Sequence, residues 1–155
     1  MIKLKPLIIN ILISLSVGII ASLITSGSQN LYSTIETPFF APPSFLFPIV
    51  WSILYLLMGV SSYIIYTSNA KPSDKQAALA IYAVSLVINF IWPILFFNAR
   101  LYLVSFIWLI ILWIFILLTI LAYSKISKVA AYLQIPYLVW VTFAGLLNLA
   151  IFILN

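Results

Sequence analysis

In a chain of 155 residues, 66% hydrophobic and only 6% charged with a mean hydropathy of +1.28, there is too little polar surface to coat an apolar interior, so a water-soluble globule is excluded. The formal charge of +5 comes from lysines split among short segments with no basic run, which excludes a nucleic-acid groove and suits contact with anionic lipid heads. With zero Cys and zero His there are no disulfides, Cys/His metal sites or His–nucleophile pairs, so neither a conventional enzyme nor a resident cofactor or metal is expected.

Five apolar runs are long enough to cross about 30 Å of hydrocarbon as helices. They cover Leu7 to Ile24, Pro48 to Tyr66, Ala77 to Phe97, Tyr102 to Tyr123 and Ala130 to Leu154. Runs this continuous suit helices rather than the alternating strands of a membrane barrel. The predicted fold is an all-α integral membrane protein, one five-helix domain over residues 1–155.

The first run follows Lys3 and Lys5 and carries Ser14, Gly18 and Ser22 at four-residue spacing. Small residues on one face let a neighbouring helix approach closely, which argues for a retained helix of the bundle rather than a cleaved leader.

The connection to the second run is the longest in the chain, about 20 residues where helical bundles ordinarily use 2–8. Prolines at 38, 42, 43 and 48 stiffen it, and Phe39, Phe40, Phe45 and Phe47 give it an apolar underside. Two readings stay open: a belt lying in the headgroup layer, or a lid folded over the mouth of the bundle. On the second reading Tyr32, Pro38, Phe40, Pro42 and Pro43 are the lid residues.

In the third run Asn89, Trp92 and Phe96 share a face, and Pro93 cannot donate to the carbonyl of Asn89, which predicts a polar, distorted patch in the membrane. Trp108 and Trp113 of the fourth run have no polar companion in the sequence and read as lipid-facing or core residues. On the fifth run Tyr137, Trp140, Ala144 and Asn148 repeat on one face above Pro136, with Ala144 leaving room between larger neighbours. No run carries an ionisable group at mid-depth, which argues against ion-coupled transport. Whatever binds inside is held by shape, aromatic faces and a few amides.

All six lysines fall on one side of the five-span layout, and Arg100 alone falls on the other. The positive-inside bias then predicts a multi-pass cell-membrane protein with a cytoplasmic N-terminus and an outside C-terminus.

The stretches "LYSTIETPFFAPPSFLFPIVWSILYLLMG", "NFIWPILFF" and "AAYLQIPYLVWVTFAGLLN" resemble, in order and spacing, the TspO/MBR family, the translocator or tryptophan-rich sensory proteins. The resemblance implies a five-helix bundle, often a homodimer, with a pocket under the first long loop for porphyrins or other flat hydrophobic small molecules. It places Trp51, Asn89, Trp92, Trp140 and Asn148 in that pocket, with Tyr137 and Ala144 on the same face. The chain departs from the family's usual pattern at Leu31 and Phe40, where the family carries Trp, and at Ile107, where it carries an acidic residue. A loose sterol pattern, Leu121, Tyr123 and Lys125, arises easily where apolar helices meet basic loops, and no sterol recognition is expected from it. Three functions remain open: a sensor that binds tetrapyrroles, a light-dependent porphyrin-degrading activity with Trp51 and Trp140 as electron donors, and an accessory membrane subunit without a small ligand.

Overall fold

The computed structural model describes residues 1–155 as helices and connections, with no strand. The helices are α1 (Leu4–Ile24), the short α2 (Leu31–Thr34), α3 (Leu46–Tyr66), α4 (Pro72–Pro93), α5 (Tyr102–Ser124) and α6 (Lys128–Leu154). All but α2 are long and apolar enough to cross a membrane, and α4 is lengthened to a 27-residue span by a π-helical turn over Ile94–Asn98. The chain is therefore the expected five-span all-α protein.

Four of the five spans begin earlier than their apolar runs, most clearly where a charge interrupts the hydropathy but not the helix, and α5 begins at Tyr102 as expected. Pro72 stands in the first turn of α4, where its missing N–H costs nothing, and Asp74 follows at the positive end of the helix dipole. Ser127 caps α6 by accepting from the Ala130 N–H at 3.3 Å.

Helices alternate in direction and close a ring in which α1 packs on α3, α3 on α6, α6 on α5, α5 on α4, and α4 back on α1. The tightest crossing is α1 with α3. A Cβ on Gly59 would lie 2.6 Å from the Ile11 Cα, and one on Gly18 would lie 2.3 Å from the Tyr55 ring. Ser14, buried between them, donates to the Tyr55 carbonyl at 2.7 Å. The small-residue stripe of α1 thus does what its spacing predicts.

The lysine-bearing half of the bundle is closed by packing and by buried polar pairs that join different helices. Ser61 of α3 donates to the Ala130 carbonyl of α6 at 2.7 Å, and the Gln134 amide donates to Ser61 Oγ at 3.2 Å. Ser62 and the Tyr123 hydroxyl lie 3.0 Å apart. Tyr123 is wholly buried, so the tyrosine of the loose sterol pattern faces the core and not the lipid.

Trp108 and Trp113 pack partly buried against the core, within the expected reading, and each also finds a polar partner on another helix. Trp108 Nε1 donates to the Ile88 carbonyl of α4 at 2.7 Å, and Trp113 Nε1 donates to Thr142 Oγ1 of α6 at 2.8 Å. An indole N–H in lipid has no water to fall back on, so it seeks a neighbouring helix. Sequence spacing within one helix cannot show that neighbour.

Candidate functional site

The other half of the bundle is hollow. A cavity of about 660 Å³ lies between α1, α3, α4 and α6 beneath the connection from α1 to α3, within the range of small-molecule sites. Its 27 lining residues include 16 hydrophobic ones and no Lys, Arg, Asp or Glu, so its chemistry is aromatic and amide, not ionic.

Two local irregularities hold the helices apart here. Pro93 has no N–H for the Asn89 carbonyl, and the chain answers by widening into the π-helical turn Ile94–Asn98, where Ala99 donates to Ile94 and Leu101 to Leu95. That turn brings both Phe96 and Phe97 to the cavity. It ends at Arg100, whose φ of 55° is left-handed, an uncommon state for a residue with a Cβ, so that α5 can double back.

Trp51, Trp92, Trp140, Asn89, Ala144 and Asn148 all line this space, as does Tyr32 from the loop. Tyr137 does not. It is buried under the floor, where the Asn89 amide donates to its hydroxyl at 2.6 Å while Asn89 Oδ1 accepts from Tyr55 at 2.6 Å. Trp51 stacks on Tyr55, with ring centroids 5.6 Å apart and planes 28° off parallel, and meets Tyr137 edge-on at 6.1 Å. The floor is therefore Trp51 stacked on Tyr55, braced from beneath by the Asn89 amide and Tyr137.

Asn148 is engaged just as fully. Its Oδ1 accepts from Trp92 Nε1 at 3.0 Å and from Ser105 Oγ at 2.9 Å, and its Nδ2 donates to the Tyr102 carbonyl at 2.8 Å. Both amides expected to face a ligand are thus tied into the protein. By contrast Trp140 Nε1 is buried with no partner at all.

Of the loop residues named above, Tyr32, Phe45 and Phe47 line the cavity. Pro38, Phe40, Pro42 and Pro43 lie off the lining, which is completed by Gln29, Asn30, Ser44, Phe45 and Phe47. Phe39 is fully exposed, and Phe40 packs edge-on against Phe143 on the outside of α6 at 6.2 Å. Pro42 instead serves as an anchor, its carbonyl accepting from the Tyr32 hydroxyl at 2.9 Å. Burial raises the Tyr32 pKa above its ordinary value, which keeps that donor protonated. Tyr32 and Phe47, 5.2 Å apart, and Phe47 and Trp140, 6.0 Å apart, continue the aromatic contacts from loop to α6.

Sequence reasoning missed Tyr55, the central floor residue, although its spacing of four from Trp51 puts the two on one face of α3. The missed contribution of α1, including Gly18 and Ser22, lay in plain view as the small-residue stripe.

A sequence model of the TspO/MBR family matches residues 10–154. Among curated relatives, the tryptophan-rich protein TspO of Archaeoglobus fulgidus is 39% identical over 96% of this chain and 96% of its own length. That of Chlorobaculum tepidum is 37% identical, covering 91% and 90%. The translocator protein of Ovis aries is 35% identical over 76% of this chain and 70% of its own.

Proposed function

The chain belongs to the TspO/MBR family of membrane sensory and translocator proteins, and from that premise we propose that its cavity binds a porphyrin or a similar flat hydrophobic molecule. The observation that carries the reading is the cavity itself, about 660 Å³ bordered by three tryptophans with no charged side chain. Indole faces suit extended π systems, and a wall without charge favours a ligand whose rings are apolar. Trp51 stacked on Tyr55, with the Tyr55 hydroxyl tied to Asn89, offers a pre-formed flat surface on which a planar ring can settle.

Protoporphyrin IX added to the purified protein in nanodiscs should quench Trp emission saturably. Trp51→Leu and Trp140→Leu should each weaken binding about tenfold, as loss of a stacked indole implies. Trp113→Leu, on the lipid side of α5, should leave affinity nearly intact. Equal losses in all three variants would mean non-specific partitioning and would sink the proposal.

We also propose that the lysine-bearing end is cytoplasmic, because Lys3, Lys5, Lys71, Lys75, Lys125 and Lys128 share it and Arg100 alone marks the other. A single cysteine at Ser33 should react with an impermeant thiol reagent from outside intact cells, and one at Ser73 should not. The reverse pattern would invert the assignment.

A further inference from the structure

The chain leaves α2 through Ile35 in extended conformation, with φ −92° and ψ 157°. Thr37 precedes Pro38, a position that also favours extended backbone. Glu36, between them, presents its N–H and C=O as a strand edge does. The side-chain amide of Asn155, at the C-cap of α6, meets both groups. Asn155 Oδ1 accepts from the Glu36 N–H at 3.1 Å, and Asn155 Nδ2 donates to the Glu36 carbonyl at 2.8 Å.

The second N–H of that amide donates to the Ile151 carbonyl at 2.9 Å. The amide is therefore aimed by its own helix before the loop arrives, and the pairing costs little side-chain entropy. No other residue type fits as well. Asp has no donor, Gln is longer by a methylene, and Ser cannot reach two groups.

The loop's remaining hydrogen bonds are local. Tyr32 reaches Pro42, Ser33 reaches Asn30, Thr34 reaches Leu31, and Gln29 reaches only Ser22 of the preceding helix. Beyond α2, the Glu36 and Asn155 pair is the loop's hydrogen-bonded link to a distant helix. It lies at the rim of the cavity, because Ile151, one turn below, is a lining residue, and Ile35 packs into the cluster of Phe96, Leu147 and Ile151.

We propose that Asn155 is the positioning residue that latches the loop over the cavity, an inference that rests on the ligand-site reading above. Opening breaks the two-point clasp and slides Ile35 off its apolar seat. The latch controls the rate of exchange more than the affinity, because Glu36 and Asn155 pair with each other off the cavity lining and touch no occupant.

The test is made on the full chain in nanodiscs. A single cysteine at Ala144, inside the cavity, reports opening through its reaction rate with an impermeant methanethiosulfonate, without any ligand. Asn155→Ala and Asn155→Asp should raise that rate about three- to tenfold, the range supported by two partly exposed hydrogen bonds. Asn155→Gln, which keeps the amide, should recover part of the difference. Without the reporter cysteine, the same variants should speed protoporphyrin IX association and dissociation together, with Kd changed less than either rate. A bifunctional thiol crosslink between cysteines at Glu36 and Asn155 should slow both.

Unchanged labelling and exchange in Asn155→Ala and Asn155→Asp would overturn the latch. So would rates that rise only in step with lost helicity or a lower unfolding temperature, since Asn155 would then merely cap α6. If labelling accelerates but protoporphyrin IX binds no variant, the latch stands and the ligand reading fails.

Discussion

The two halves of this bundle are built from the same five helices, yet one is closed and the other hollow. In the closed half, Gly59, Ser14, Ala130 and Ala131 bring backbones together, and buried Ser61, Ser62, Gln134 and Tyr123 join three helices through hydrogen bonds. In the hollow half, Pro93 breaks the ladder, the π-helical turn swings Phe96 and Phe97 inward, and three indoles stand along walls that also carry Gly18, Ser22 and Ala144. Hydropathy is blind to the difference. What separates the halves is how the space between helices is filled: in one, close backbone approach and side chains hydrogen-bonded across helices leave no gap, and in the other a broken helix and small residues between propped indoles leave one.

Breaking the closed half should have the largest effect. A valine at Gly59 must occupy space 2.6 Å from the backbone of Ile11, where no side chain can rotate away. Gly59→Val should therefore separate α1 from α3 and cost about 3 kcal/mol or more, the upper end for overpacking, read as a lower unfolding temperature in detergent. Gly145 is the counterpart, a helical glycine with nothing within 4 Å of its added Cβ. Gly145→Ala should be neutral or stabilise by about 0.5–1 kcal/mol. Similar losses at both sites would show that packing does not distinguish them.

The boundary between the halves runs through Asn89, and a smaller effect is expected there. Its side chain accepts from Tyr55 and donates to Tyr137, so Asn89→Leu leaves two buried hydroxyls without that partner and should cost about 1–3 kcal/mol in stability. Binding should weaken as a consequence, through a loosened floor under Trp51. Weakened protoporphyrin IX binding with unchanged stability would mean instead that Asn89 touches the ligand.

That distinction marks how far the sequence could be read. The five spans were legible because lipid forces continuous apolar helices, and errors at their ends came from charges such as Lys5, Asp74 and Lys128 that sit inside a helix yet outside the hydrocarbon. Asn89, Trp92, Ala144 and Asn148 were legible as neighbours, since each pair is set by spacing along one helix. Their partners were not. The engagement of Asn148 by Trp92 and Ser105, the donors from Trp108 and Trp113, and the Asn155 clasp on Glu36 all join residues far apart in the chain, and periodicity within a helix carries no trace of them. The loop was legible as a cover but not in its detail, because alternation cannot say which phenylalanine turns inward.

The smallest effect expected is at the loop's internal tie, where the hollow half meets solvent. Tyr32→Phe keeps the ring against Phe47 and deletes only the donor to the Pro42 carbonyl, so the loop should lose about 0.5–1.5 kcal/mol of its closed form. Porphyrin dissociation should then speed by a small factor, with the fold intact. The pH dependence has a definite sign. Burial raises the Tyr32 pKa above 10.0, the value it regains when the loop opens, so its contribution is fully present below about pH 10 and is lost as pH rises through the raised value. Dissociation from the natural chain should gain an alkaline limb above pH 10 that Tyr32→Phe lacks, measured by stopped-flow Trp fluorescence. An alkaline limb of the same size in the variant would assign it to another group and remove Tyr32 from the closure of the loop.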